Sequence, residues 1–270
     1  MNATKKIITG LVVSLLMSSA ALAVQVNLNL WTPESYPPVS GFPSAQWVVS
    51  PSGQSVTEVG NGQPSLFYSD FNARGSDIRG SVSVATGGDD DYIGFALGFR
   101  PGDTTNPAAD YLLVDWKRTT QFFDFGPATT PGTTALMGLA VSRVTGVPTA
   151  DELWGHTDFT SDTSGGVAEL ARAATLGSTG WQPGVEYDFQ FLFQEDRLQV
   201  FVDDTLELDI SGDFPDGRIA FYNFSQPEVT YRAFTRSSIP GPQPSPIPAP
   251  ASLPLVVFGV AGVVIRRLRR

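Results

Sequence analysis

The stretch YDFQFLFQEDRLQVFVDDTLELDI, residues 187–210, decides the fold. Tyr187, Phe189, Phe191 and Phe193 alternate with Asp188, Gln190, Leu192 and Gln194. A period of two places the four aromatics on one face of a strand, because successive side chains of an extended chain point to opposite sides. Leu198, Val200 and Val202 repeat the pattern against Gln199, Phe201 and Asp203, and Leu206, Leu208 and Ile210 follow. Asp203-Asp204 falls where a two-residue hairpin turn joins those last two runs.

Working outward, residues 46–50, 77–84, 92–99, 111–117, 218–224 and 229–234 read as further strands. Gly, Pro and Asp clusters separate them. Short strands at this spacing predict an all-β, antiparallel sandwich. Residues 167–176, rich in Ala, Glu, Leu and Arg, predict a helix from propensity alone. No repeat of 20 to 50 residues occurs.

Both ends of the chain read as sorting segments. Lys5 and Lys6 precede an apolar run, and Ala21-Leu22-Ala23 is a small-x-small cleavage site, so residues 1–23 predict a secretory signal peptide cut after Ala23 by signal peptidase. At the other end, a Pro-rich linker (236–247) leads to Pro248-Ala249-Pro250, then to an apolar run and four arginines within 266–270. The run 253–265 has 13 residues. At about 1.5 Å per residue it covers roughly 20 Å, short of a hydrocarbon core of ~30 Å. It predicts transient contact with the inner membrane, the arginines staying cytoplasmic. The body between, 24–235, is long enough for one β domain.

Charge narrows the partners. Six of the 17 basic residues and none of the 27 acidic ones lie in the two tails, which leaves a body with 11 basic and 27 acidic residues, a net charge of −16. Nucleic acid and anionic membranes are poor partners for such a body, and cations are good ones. There is no cysteine, hence no disulfide and no thiolate metal site.

Two stretches could carry chemistry. In GGDDDYIGFALGF, residues 87–99, Ile93, Phe95, Leu97 and Phe99 share one strand face and Gly94, Ala96 and Gly98 the other. Asp89, Asp90 and Asp91 crowd the start of that strand, where three adjacent carboxylates repel unless something neutralises them. A hard cation with oxygen ligands, Ca²⁺ above all, answers that need, with Asp70 and Asn72 of the loop 68–72 as further ligands. A solvated acidic turn is the alternative. In YLLVDWKRTTQFFDF, residues 111–125, Asp115 interrupts an apolar strand. It reads as a second-tier ligand, a rim residue, or a partner of Lys117 or Arg118.

Catalysis finds little support. Glu207-Leu208-Asp209 begins the paired-carboxylate pattern of sandwich glycan hydrolases, but neither Ser211 nor Gly212 supplies the second Glu. Both acids then read as solvent-side residues of a strand. The lone His156 cannot build a zinc site of the usual kind and reads as structural.

Taken in order, WVVSPSGQSVTEV (47–59), LFYSDFNARGSDIRGSVSV (66–84), DDDYIGFALGF (89–99), YLLVDWKRTTQ (111–121), ELWGHT (152–157), GWQPGVEYDFQF (180–191) and GRIAFYNFSQPEVTYRAF (217–234) closely resemble the thrombospondin C-terminal domain. The triple aspartate and the Trp116, Lys117, Gln121 spacing are its most specific parts. The resemblance implies a jelly-roll sandwich of the concanavalin-like lectin type. It also implies a calcium-binding extracellular module for adhesion and matrix contact rather than catalysis, with Asp89, Asp90 and Asp91 at the family's triple aspartate and Asp70 and Asn72 in its Asp- and Asn-bearing loop. The family's preceding aspartate repeats and its cysteines are absent. The tail 248–270 resembles the PEP-CTERM sorting signals of Gram-negative bacteria, read by the peptidase exosortase, with Ala249 where Glu is usual. That implies release or transfer to the cell surface, where a surface polysaccharide or biofilm matrix component is the expected partner.

Overall fold

The computed structural model describes residues 22–126, 131–159 and 165–239. The processing motif at 248–250 and the tail that follows it lie outside the described residues, as does the linker beyond residue 239.

Two antiparallel sheets face each other. The first runs β15 (Thr205–Ser211), β14 (Arg197–Val202), β13 (Glu186–Phe193), β6 (Ser76–Val84), β17 (Val229–Ser238), β4 (Ser55–Glu58) and β3 (Trp47–Val49), with the short β1 (Val24–Gln25) also on β17. The second runs β12 (Gly165–Arg172), β11 (Gly138–Gly146), β8 (Asp110–Lys117), β7 (Tyr92–Phe99), β16 (Arg218–Phe224), β5 (Ser65–Asn72) and β2 (Thr32–Ser35). Among the described residues, a small hairpin of β9 (Gln121–Phe123) and β10 (Thr133–Ala135) and one α-helix, α1 (Ala150–Gly155), complete the body. Consecutive pairs such as β3–β4, β7–β8, β11–β12 and β13–β14–β15 are interleaved by crossovers such as β6–β17 and β7–β16, as in a jelly roll.

The period-two reading holds over 187–202, while a bulge in the β14–β15 ladder turns Leu206 outward opposite Phe201 and leaves Leu208 inward. Phe189, Phe191 and Phe193 are buried between the sheets, against Phe95 and Trp116 of the other sheet. Asp203 and Asp204 form the two-residue turn, at φ 47° and 62°, with Val202 paired to Thr205. Two positive φ values match the right-handed twist of the flanking strands, and Asp tolerates them better than most residues.

Two expectations are corrected. Residues 167–176 are not a helix: 165–172 form β12, an edge strand on β11. The free edge of β11 offers a full ladder of backbone hydrogen bonds, and that outweighs a propensity of a few tenths of a kcal/mol per residue. Phe99 does not share a face with Ile93, Phe95 and Leu97. Gly98 adopts φ 83° at a bulge, which inserts one residue and turns Phe99 to the outer face, beside Tyr68 and Tyr111.

That outer face of the seven-stranded sheet is covered. Tyr92, Phe99, Tyr111, Leu113 and Tyr222 pack there with Leu153 and Trp154 of α1. The helix starts in a capping box, Thr149 with Glu152, and docks through the Tyr92 hydroxyl, which donates to the Trp154 carbonyl at 2.8 Å. Strands β7, β8 and β16 are therefore buried on both faces. The outer face of the eight-stranded sheet is open and polar, carrying Arg79, Asp188 and Asp209 exposed to solvent. Among the described residues no helix is long and apolar enough to cross a membrane.

Candidate functional site

The triple aspartate sits at the N-terminal end of β7, where β8 ends beside it. Its closest cation is a side chain. Tyr92 of β7 pairs with Lys117 of β8, so the lysine stem runs along the covered face and its ammonium meets the loop. Lys117 Nζ donates to Asp91 Oδ1 at 2.7 Å, Asp90 Oδ1 at 3.1 Å, the Asp90 carbonyl at 2.8 Å and Gln121 Oε1 at 2.9 Å. It also stands 4.6 Å from the centroid of the Trp154 ring. The lysine side chain is fully buried, and the Asp91 side chain keeps only 7% of its exposure. Within the Trp116, Lys117, Gln121 spacing, Lys117 and Gln121 hold an ammonium against two aspartates, while Trp116 points to the core between the sheets.

Asp91 faces inward. Its N–H donates to the buried Gln226 at 2.9 Å, and its carbonyl accepts from Trp181 Nε1 at 3.0 Å. Burial pushes its carboxyl above the ordinary range, and the Lys117 ammonium pulls the other way. Asp89 and Asp90 face outward. Asp89 accepts from Asn61 and from the Asp90 N–H, and Asp90 accepts from the Thr119 hydroxyl. Partial burial opposes the Asp90 charge, but Thr119 and Lys117 outweigh it and hold the carboxyl below its usual value. Each of the three residues offers a carboxylate oxygen, all lying within 4.8 Å of one another. A cleft of about 320 Å³ opens beside Asp89 and Asp90. Arg118 lines the same cleft and donates to the Gly87 and Asp89 carbonyls at 3.0 and 3.1 Å. Three carboxylates against one ammonium and one guanidinium leave the loop negative by one charge, so a hard cation fits the outer side, where Asp89 and Asp90 present oxygens. Asp91 is already occupied.

The other expected ligands are elsewhere. Asn72 pairs with Arg218 at one end of β16, while Phe224 at its other end pairs with Tyr92 beside the triple aspartate. At ~3.3 Å per residue these ends are about 20 Å apart. Asp70 is exposed in a shallow cleft with Val24, Leu30 and Arg236, and Asn72 donates to Asp216 at 3.2 Å. The stretch 68–72 is the end of β5 rather than a loop, and β5 and β7 both run antiparallel to β16, so it lies beside the end of β7 and away from the start where the triple aspartate sits. Neither residue joins the triple aspartate.

Asp115 pairs with neither Lys117 nor Arg118. It is fully buried on the covered face and meets His156 Nε2 at 3.0 Å, and His156 Nδ1 reaches Glu169 at 3.4 Å. Arg172 in turn donates to Glu169 at 2.8 Å. Burial lowers the imidazole pKa, but Asp115 and Glu169 more than reverse this and raise it to about 9. His156 is therefore structural: it ties α1, whose C-cap it forms at φ 48°, to the sheet below. Sequence reasoning missed the pairing because 41 positions separate the partners. A lone buried acid in a strand and a lone histidine were its only signal.

Glu207 is also corrected. It is buried, not solvent-facing, because a bulge in the β14–β15 ladder puts it and Leu208 both inward. It accepts from the Thr175 N–H at 2.8 Å, the Leu176 N–H at 3.1 Å and the Thr175 hydroxyl, fastening the loop after β12. Asp209 is on the open face, in a two-point pair with Arg197 at 2.6 and 2.8 Å. The two acids point apart and each is engaged.

Thrombospondins match this chain by sequence. Thrombospondin-3b from Danio rerio is 27% identical over 199 residues, covering 68% of this chain and 20% of that protein. Thrombospondin-4 from Bos taurus is 30% identical over 160 residues, covering 57% of this chain and 15% of that protein. The chain thus aligns with a fifth or less of the length of these relatives. Among solved structures, the carbohydrate-binding module CBM66 from Bacillus subtilis superposes with a TM-score of 0.47 at 11% identity, covering 75% of this chain and 100% of that one. The VIP36 exoplasmic/lumenal domain, bound to Ca²⁺ and Man3GlcNAc, gives 0.45 at 10% identity, covering 83% and 91%. The family model of the thrombospondin C-terminal region matches residues 42–238, strand β3 through the end of β17, and the chain belongs to that family.

Proposed function

We propose that this protein is an exported, calcium-binding adhesion module that associates with a surface polysaccharide or other matrix component and performs no catalysis. The observation that carries the reading is the triple-aspartate loop, built at a sheet end of a thrombospondin C-terminal region and left negative after Lys117 has taken its share. Asp89 and Asp90 hold the ion on the solvent side; Asp91 belongs to the scaffold. Ca²⁺ suits such a site because it accepts an irregular shell of carboxylate, carbonyl and water oxygens, whereas Mg²⁺ demands tighter octahedral geometry. Export rests on the signal peptide 1–23, removed by signal peptidase. Surface delivery rests on the tail 248–270, which exosortase reads and cuts near Pro250 after a transient stay at the inner membrane. The test is a pull-down of the protein on cell-envelope polysaccharide with calcium and with chelator. Retention with calcium and release by chelator is the expected result. Retention unaffected by chelator removes calcium from the reading, and no retention in either condition removes the matrix partner. Intact-mass analysis of surface material checks the sorting: a mature protein still ending in Arg270 refutes it.

A further inference from the structure

The open face of the eight-stranded sheet carries a cavity of about 340 Å³, lined by Arg79, Glu186, Asp188, Gln190, Phe201 and Asp204. It is a consequence of irregular backbone. Strand β17 bulges between Arg232 and Thr235, with Ala233 at φ 56°. A residue with a Cβ is disfavoured there, and bulges of this kind recur where a sheet is shaped for contact. The bulge turns Phe234 inward, into space that exists only because residue 80 is glycine: a Cβ on Gly80 would come within 2.4 Å of the Phe234 ring. On the outer side the strand then presents only the Ala233 methyl, and the face is hollowed next to it.

The floor is a cross-strand row: Arg79 on β6, Gln190 on β13, Phe201 on β14 and Leu206 on β15 stand opposite one another in register. Arg79 and Gln190 are fixed in place by Asp77, which accepts from Arg79 Nη2 at 3.0 Å and from Gln190 Nε2 at 3.0 Å. Among the described residues no hydrogen bond or ion pair ends on the Asp188 and Asp204 carboxylates, and the Asp204 charge joins that of Asp77 in acting on Arg79. The set combines a half-buried aromatic ring, a held guanidinium and amide, and two carboxylates that no protein donor caps. Such a set suits a polyol: sugar C–H faces lie on the ring, hydroxyls donate to carboxylates, and hydroxyl oxygens accept from the guanidinium. Asp77, Glu186, Asp188 and Asp204 outnumber Arg79 and Arg232, the latter 3.2 Å from Glu186, so an anionic polymer is repelled. The equivalent outer face of the other sheet is filled by Tyr92, Tyr111, Tyr222 and Trp154 and has no room for a chain.

We propose that this hollow is the binding subsite for a neutral glycan; the inference rests on the matrix-binding reading above and names its surface and ligand class. The test is affinity gel electrophoresis of the full-length protein in gels carrying galactomannan, soluble β-1,3-glucan or dextran, with alginate as the anionic comparison. Retardation by a neutral polymer is expected, weakened about tenfold in Phe201→Ala and in Asp188→Ala, the second on an exposed residue whose loss leaves the fold intact. Wild-type retardation unchanged in both variants overturns the subsite while leaving the matrix reading standing. Stronger retardation by alginate than by any neutral polymer overturns the ligand class. Failure of the wild type to bind any of these polymers, together with failure on envelope polysaccharide, overturns both.

Discussion

The outer faces of the two sheets solve different problems. On the seven-stranded sheet the outer face is roofed by α1 and a layer of aromatics, and it buries two ion pairs, Lys117 with Asp91 and His156 with Asp115, each reaching one partly exposed acid at the rim, Asp90 and Glu169. On the eight-stranded sheet the charged groups are partly exposed pairs, Arg79 with Asp77 and Arg197 with Asp209. A buried charge must be matched inside the protein, because water no longer solvates it. An exposed one need not be. The difference teaches that charges under the roof hold the fold, while those on the open face are free to meet a ligand.

The largest expected effect breaks the covered side. Lys117→Met leaves Asp91 buried without a counter-charge, a loss of about 3–5 kcal/mol. For a domain of this size that lowers the melting temperature by roughly 10 °C or more. Thermal melts followed by circular dichroism check it. A melt like that of the wild type would show that the roof does not depend on this ammonium.

The next effect is pH-dependent. The folded pKa of His156 is raised to about 9 from an ordinary 6.5. A raised pKa means the folded state holds the proton more tightly, so the contribution is complete below about pH 6.5 and fades as pH rises through about 9. It amounts to at most about 3 kcal/mol. Melting temperature should fall across that window in the wild type and stay nearly flat in His156→Gln. Equal slopes would remove the imidazolium from the account of the roof.

Calcium comes third. An ion that binds only the folded state adds about 2.7 kcal/mol at a hundred-fold excess over its Kd, a rise on the order of 5 °C. Differential scanning fluorimetry with millimolar Ca²⁺, with Mg²⁺ and with chelator measures it. Asp90→Ala should abolish most of the response. Asp70→Ala and Asn72→Ala should keep it whole, since both lie at the far end of the sheet. A loss of response in either would restore them as ligands.

The smallest stability effect sharpens the open side. Arg79→Ala breaks a pair whose guanidinium is 57% exposed, and such pairs contribute about 0–1 kcal/mol. Its melt should nearly match the wild type while glycan retardation weakens. A large drop in melting temperature would mean that the open face is structural after all.

Much of this architecture was legible before the coordinates. Phe189, Phe191 and Phe193 announced an inner face by alternation, and Asp203-Asp204 announced a hairpin, because strand period and turn chemistry are local properties. The triple aspartate was legible as a charge problem, and the Trp116, Lys117, Gln121 spacing as a family mark. Its solution, the ammonium of Lys117, lies 26 residues from Asp91 and was not legible. Residues 167–176 misled for a related reason: helix propensity is written in the segment, while the edge of β11 that captures it is not. Phe99 and Glu207 each changed face through a bulge, which leaves little trace in the side-chain pattern.

By itself, then, the sequence determined the class of fold, the positions of its clearest strands, the acidic balance of the body and the membership of the triple-aspartate loop in a known family. Each follows from local periodicity, composition or a contiguous motif. Only the tertiary structure decided which sheet face is roofed, which aspartate is taken by Lys117, which pair with His156, and where Asp70 and Asn72 stand. Those depend on strand order and on single-residue bulges, which bring distant side chains together or turn neighbours apart.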